Sequence, residues 1–277
     1  MTNITRTIYS SALQTAQVLG IDYAIPDNTT LNEKFDVLPI ATIEDEYPQM
    51  KYWAMGRGGH RNASGPDGQS ITRLNFHRAS DAACFQHMPF ILRKADNDIS
   101  AAARANYALR VEEVHGGVPY IAYYLKRLDH SNLEIGFNRL TVTEGNQTLL
   151  PYIPSSSDLS PAPLTVSPIE VNVTDGEYLS ASTLVQLLLT EDEIAEAVAA
   201  AKIIYGEEEY ATLSEVALCS GVDRVQSATS SEGLAFNYTE AVGVQVNTHI
   251  ITHHQLWLAN RELLIEFDLG GTESLTL

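Results

Sequence analysis

Apolar and polar positions along this chain alternate in strand-like fashion more often than they form helical stripes. Two apolar-aromatic runs, 108–114 and 118–128, flank His115-Gly116-Gly117. Two adjacent glycines can supply the positive φ that a tight hairpin turn demands, so a hairpin is predicted there. Tyr120, Tyr123 and Tyr124 suit a half-buried pleated surface. Leu179, Ala181, Val185, Leu187 and Leu189 share one face at a period of two, which predicts a strand over 179–189. Three further strands are predicted over 214–219, 241–251 and 263–269.

One segment breaks this pattern. Over 191–205, Ile194, Ala197, Val198, Ala201 and Ile204 recur as a helical stripe. Thr190 is a good N-cap, and Glu193 three residues on completes a capping box. Glu191, Asp192 and Glu193 suit the positive end of the helix dipole, and Gly206 stands where a terminating glycine belongs. A shorter helix is predicted over 8–19, with Ala12, Ala16 and Leu19 at helical spacing and Gly20 after it. Residues 1–50 otherwise read as an extended arm, with a turn at 26–30 and an acidic stretch at 44–48. The run Gly56-Arg57-Gly58-Gly59-His60 to Gly68 is dense in glycine, so no regular element is expected over 56–68. Residues 80–90 look compact, with Pro89 closing any short helix, and 155–168 is a Pro/Ser-rich loop. The expectation is a β-rich α+β fold: antiparallel, sandwich-like sheets, one or two amphipathic helices, and long loops and arms. It would comprise an N-terminal arm, 1–50, and a single β-rich structural domain, 51–277.

Composition narrows the class. A 277-residue chain with 44% hydrophobic residues can bury a full core without a staple. No apolar run approaches the roughly 20 residues of a membrane span, and the first residues lack a signal-peptide core. Cys84 and Cys219 sit in apolar stretches and read as two buried thiols, with one long-range disulfide as the alternative. Asn-x-Ser/Thr triplets at Asn3, Asn28, Asn62, Asn146, Asn172 and Asn237 read as turn and strand residues of a chain made inside a cell.

Charge is unevenly spread. Of 17 basic and 35 acidic residues, 3 basic and 20 acidic fall in 141–277, whereas 51–139 holds 12 basic and 8 acidic. A net charge of −18 argues against a free nucleic-acid binder. It suits a solvated acidic face, an acidic wall that repels DNA passing through a ring, a subunit packing basic against acidic surface, or cation binding by carboxylate clusters such as Glu207, Glu208 and Glu209. The donors predicted for such an interface are Arg57, Arg61, Arg73, Arg78 and Arg93. The acceptors are Glu191, Asp192 and Glu193, and Glu207, Glu208 and Glu209.

Chemical motifs are sparse. His77 and Asp81 are spaced to face one way on a helical turn and could offer two metal ligands, with His60 or His87 as a third. No full ligand grammar is present, and no metal or cofactor is expected. His253 and His254 are adjacent and point to opposite faces of a strand. Gly56-x-Gly58-Gly59 is not a dinucleotide fingerprint, because its third glycine comes one residue early. Cys84 with His77 or His87 is a weak thiol pairing. No nucleophile elbow or phosphate loop occurs. A β-rich glycan hydrolase would leave little sequence trace and stands as the enzymatic alternative.

Two blocks, 51–60 (Lys51-Tyr-Trp-Ala-Met-Gly-Arg-Gly-Gly-His60) and 77–93 (His77-Arg-Ala-Ser-Asp to Arg93), resemble virion structural proteins of tailed bacteriophages. Blocks 173–178 (Val173-Thr-Asp-Gly-Glu-Tyr178) and 217–223 (Ala217-Leu-Cys-Ser-Gly-Val-Asp223) extend the likeness over roughly 50–250. The resemblance implies a non-enzymatic, ring-forming neck or collar (head–tail connector) subunit without catalytic residues. Its partners would be further copies of itself and neighbouring neck, portal, tail or fibre proteins. Such a subunit is made in the host cytoplasm and resides in the virion. A capsid-decorating protein is the structural alternative.

Overall fold

The structure, a computed structural model, describes residues 3–23, 35, 46–65, 67–161, 176–229, 233–259 and 261–275. The turn predicted at 26–30, residues 44–45 of the acidic stretch, 162–168 of the Pro/Ser loop and 173–175 of the third phage-like block lie outside the described residues. The fold is β-rich α+β with antiparallel sheets.

In chain order the strands are β1 (Asn3–Arg6), β2 (Gln49–Gly56), β3 (His60–Ser64), β4 (Ser70–Leu74), β5 (His87–Met88), β6 (Ile91–Lys94) and β7 (Tyr107–His115). Then follow β8 (Val118–Arg127), β9 (Gly136–Thr143), β10 (Asn146–Pro151), β11 (Gly176–Leu189), β12 (Thr212–Thr229), β13 (Ala235–Gln255) and β14 (Leu263–Ser274). Among the described residues, the helices with defined bounds are α1 (Ile8–Leu19), α2 (Ala101–Arg104), α3 (Ser156–Leu159) and α4 (Glu191–Tyr205). None of the described helices is long and apolar enough to cross a membrane.

The chain divides into two compact units, 1–128 with 188–263 and 129–187 with 264–277. The sequence suggested a boundary near residue 50, between an arm and a single domain. The N-terminal segment instead belongs to the first unit, because β1 pairs with β13 and α1 packs on the same strand. The second boundary was invisible because β11 is one uninterrupted strand that runs across it.

The first unit is built on a sheet of order β1-β13-β12-β2-β8-β6, with β5 added on β2 and β7 on β8. From residue 212 to 222 β12 is buried at every position, so both faces of the sheet centre are covered. Trp53 meets Phe90 edge-on at 4.7 Å between ring centroids. The predicted β7–β8 hairpin forms, with Gly116 at φ 58° and Gly117 at φ 79° in the turn. Both β12 and β13 run well past the predicted 214–219 and 241–251, since polar residues 223–229 continue the pairing against 235–241.

Helix α1 has the predicted bounds, capped by Thr7, whose Oγ1 also donates to the Val246 carbonyl at 2.6 Å. Its buried stripe is Leu13 and Ala16; Ala12 and Leu19 face outward. Leu13 and Ala16 pack with Tyr23, Val222 and Val242, and that neighbouring strand surface fixes the rotation of the helix. Helix α4 carries the full capping box and ends on Gly206 at φ 90°. Ile194, Ala197, Ala200 and Ala201 are buried, while Val198 and Ile204 are half-buried at the stripe's margin.

Two loop expectations need correction. Residues 60–64 form β3, which pairs with β4 around a turn closed by Gly65 N–H donating to Gln69 O at 2.7 Å. The glycines of this run lie before β3 (Gly56, Gly58, Gly59) and in the turn after it (Gly65, Gly68), and leave the intervening His60-Arg-Asn-Ala-Ser64 free to be a strand. Over 80–90 no helix forms; the segment is irregular up to the two-residue β5. In the Pro/Ser segment Ser155 caps the single turn α3.

The second unit is a four-stranded sheet, β10-β9-β11-β14. Glu144 at φ 51° and Gly145 at φ 79° turn β9 into β10. On one face Leu140 of β9 stands between Leu149 of β10 and Tyr178 of β11; on the other Arg139 stands between Leu150 and Leu179.

Candidate functional site

The chemistry-bearing residues that the sequence offered converge in the first unit around one buried carboxylate, Glu215 of β12. Its side chain is fully enclosed. Oε1 accepts from Gly58 N–H at 2.8 Å and Gln86 N–H at 2.9 Å; Oε2 accepts from Phe85 N–H at 2.9 Å. His77 Nε2 sits 2.9 Å from Oε2. Three backbone donors converging on one anion form a nest of the kind that elsewhere holds phosphate. Here the nest is filled by the chain's own carboxylate.

The glycine run is explained by this cradle. A Cβ on Gly58 would lie 2.5 Å from the Phe85 Cβ, and one on Gly59 would lie 2.2 Å from the Ser214 carbonyl oxygen. The run thus brings backbone close to β12 and to residues 85–86.

His77 bridges two acids. Its Nδ1 lies 3.0 Å from Asp81 Oδ2, so the predicted i, i+4 proximity holds, on a turn instead of a helix. Each ring nitrogen of His77 thus faces a carboxylate oxygen, Asp81 on one side and Glu215 on the other. Burial alone would raise the Asp81 pKa, but the Arg78 backbone N–H and His77 hold it below the usual carboxylate range. Phe85 stacks on one side of the His77 ring at 3.9 Å and His249 on the other at 3.7 Å. Burial, and then the neighbouring His77, push the His249 pKa down to about 4. That keeps His249 neutral, its Nε2 donating to the Asp81 carbonyl at 3.1 Å.

The remaining histidines are dispersed around this centre. His60 meets His253 edge-on at 4.8 Å; burial first, then His253 and Arg57, lower its pKa. His87 packs edge-on against Phe35 at 5.0 Å. No group of three His, Cys, Asp or Glu residues among those described could hold a metal ion. Cys84 and Cys219 are buried and not joined by a disulfide, as expected, and burial raises the Cys219 thiol pKa.

Several predicted interface residues have partners within the chain. Arg57 lies over the rings of Tyr205 and Tyr210 at 4.4 and 4.7 Å and donates to Gln86 Oε1 at 3.3 Å. Arg93 Nε donates to Glu196 Oε2 at 3.2 Å. Glu193 accepts from Lys126 Nζ at 2.6 Å and Tyr107 O–H at 2.8 Å, besides closing the capping box. Arg61 and Arg73 stand directly opposite one another on β3 and β4, and Arg78 is exposed. Glu191, Asp192, Glu207, Glu208 and Glu209 are exposed, with Glu208 3.8 Å from Lys202.

Glu215 and His249 escaped the sequence reading. A charged residue inside the otherwise uncharged run 211–222 was the available signal, because a strand that is apolar throughout can hold a carboxylate only if it is fully bonded.

The family model that matches residues 1–277 is described as a family of unknown function (DUF7208), and the chain belongs to that family. No curated protein and no solved structure matches the chain.

Proposed function

We propose that this member of the DUF7208 family is a non-enzymatic structural subunit that works as a homo-oligomer. Its setting is a tailed-bacteriophage particle, as a ring-forming neck or collar protein. The observation that carries the assembly reading is the second unit. Its sheet leaves Phe137, Leu149 and Leu150 about 60% exposed and Leu184 and Leu264 nearly half exposed, with Ile135 and Ile153 exposed beside them. Apolar side chains on both faces of one small sheet are the surface of a part that is covered in an assembly. The His77–Glu215 pair, enclosed behind a partly exposed Asp81, supports the same reading from the other unit: Glu215 and His77 are spent on bracing a loop and present nothing to a substrate. The phage setting rests on the residue blocks 51–60, 77–93, 173–178 and 217–223 alone.

Electron microscopy of particles bearing a tagged copy tests the setting. A fixed low copy number at the head–tail junction is the expected result. Hundreds of copies on the head would make the chain a decorating protein, and absence from particles would overturn the setting.

A further inference from the structure

Two charge placements in the first unit are unfavourable in the isolated chain and opposite in sign. The first is on the β3–β4 hairpin, where Arg61 and Arg73 are cross-strand partners. Like charges directly opposite one another weaken a ladder. Both arginines are exposed, and among the described residues neither joins an ion pair. No carboxylate is available nearby in sequence: residues 49–80 hold five Lys/Arg and one acid, Asp67. Ala63 and Ile71 pair at the next position on the same face, and Ile71 is 41% exposed.

The second placement is Glu207, Glu208 and Glu209, directly after the C-terminal end of α4. The helix dipole is negative at that end and repels carboxylates. Lys202 lies 3.8 Å from Glu208, with both side chains more than half exposed, and the other cation beside the turn, Arg57, sits over the Tyr205 and Tyr210 rings, with no ion pair to the glutamates among the described residues. Glu191 and Asp192 differ, because they stand at the positive end of the same helix. Tyr210, beside the three glutamates, is 41% exposed.

We infer that the β3–β4 hairpin docks on the Glu207, Glu208 and Glu209 turn of a second copy of this chain, with Arg61 and Arg73 taking its carboxylates and Ile71 meeting Tyr210. This deepens the homo-oligomer reading and rests on it. Two adjacent guanidinium forks match a row of carboxylates bidentately, and pairing relieves both local repulsions at once. A polyphosphate partner fits less well, because the net charge of −18 repels it.

The test is sedimentation of the full-length chain, wild type beside R61Q/R73Q, with thermal melting to show that each variant folds. The expected result is a wild-type oligomer whose association weakens about tenfold or more in R61Q/R73Q, since several exposed pairs of modest strength are lost together. Melting should be nearly unchanged. Mixing R61E/R73E chains with E207K/E209K chains should restore association that neither shows alone. A wild-type oligomer unaffected by R61Q/R73Q overturns the docking inference and leaves the homo-oligomer reading standing. A wild-type monomer overturns both. Retention of DNA that depends on Arg61 and Arg73, with association unchanged in R61Q/R73Q, assigns the hairpin to phosphate instead.

Discussion

His77 and His249 stack ring on ring, with centroids 3.7 Å apart and planes 13° from parallel. Only one of them can be charged at that spacing without severe repulsion. Their partners differ: His77 lies between two carboxylates, whereas His249 faces a backbone carbonyl. The pair joins the turn carrying Asp81 to β12 and β13, next to β1, whose Thr5 pairs with His249.

This arrangement makes folding stability depend on pH. The unfolded chain protonates His249 near pH 6.5, the folded chain only near about 4. A group whose pKa is lower when folded contributes full stability above its unfolded value, and that stability is lost as pH falls toward the folded value. The loss between pH 7 and pH 4 should be on the order of 3 kcal/mol. Asp81, also held low, adds to it at still lower pH. Thermal melts should therefore decline across this range in wild type and decline less in His249→Gln. Identical slopes in the two would contradict the assignment.

Glu215→Gln replaces one of the two acceptor oxygens by an amide N–H₂, which then faces backbone donors, either Gly58 and Gln86 N–H or Phe85 N–H. Breaking one partner of a buried charge pair costs about 3–5 kcal/mol. Urea unfolding should show that loss, and a change under about 1 kcal/mol, the worth of an exposed pair, would mean that the cluster does not brace the fold.

Gly59→Ala places a methyl 2.2 Å from the Ser214 carbonyl oxygen, which is backbone and cannot swing away. The strand or the loop must shift, with a cost of about 1–3 kcal/mol or more. Gly68→Ala is the comparison. Its Cβ meets nothing within 4 Å, so its cost comes from the positive φ of 73° alone. A Gly59→Ala protein as stable as Gly68→Ala would argue against the close-packed cradle.

Thr190→Ala removes the side chain that accepts from Glu193 N–H at 3.3 Å. Glu193 keeps Lys126 and Tyr107, so only the cap is lost, and stability should fall by about 1 kcal/mol. Chemical denaturation of the purified variant measures this.

Local signals in the sequence were read well where local physics decides the outcome. The capping box at Thr190 and Glu193 set the start of α4, and Gly116-Gly117 set the β7–β8 turn, because each depends on residues within a few positions. The rotation of α1 depends on Val222 and Val242, more than 200 positions away, so Leu13 was missed in its stripe. The spacing of His77 and Asp81 was legible; their third partner, Glu215, lies 138 positions from His77 and looks like any strand residue. The glycine run read as loop because its close approach to β12 has no signature within the run itself.

The most direct test of the assembly account is the mass of the purified full-length chain in solution, by sedimentation velocity across micromolar concentrations. The account predicts one closed species at a whole multiple of 30.4 kDa, persisting on dilution. A single 30.4 kDa species at every concentration would contradict it.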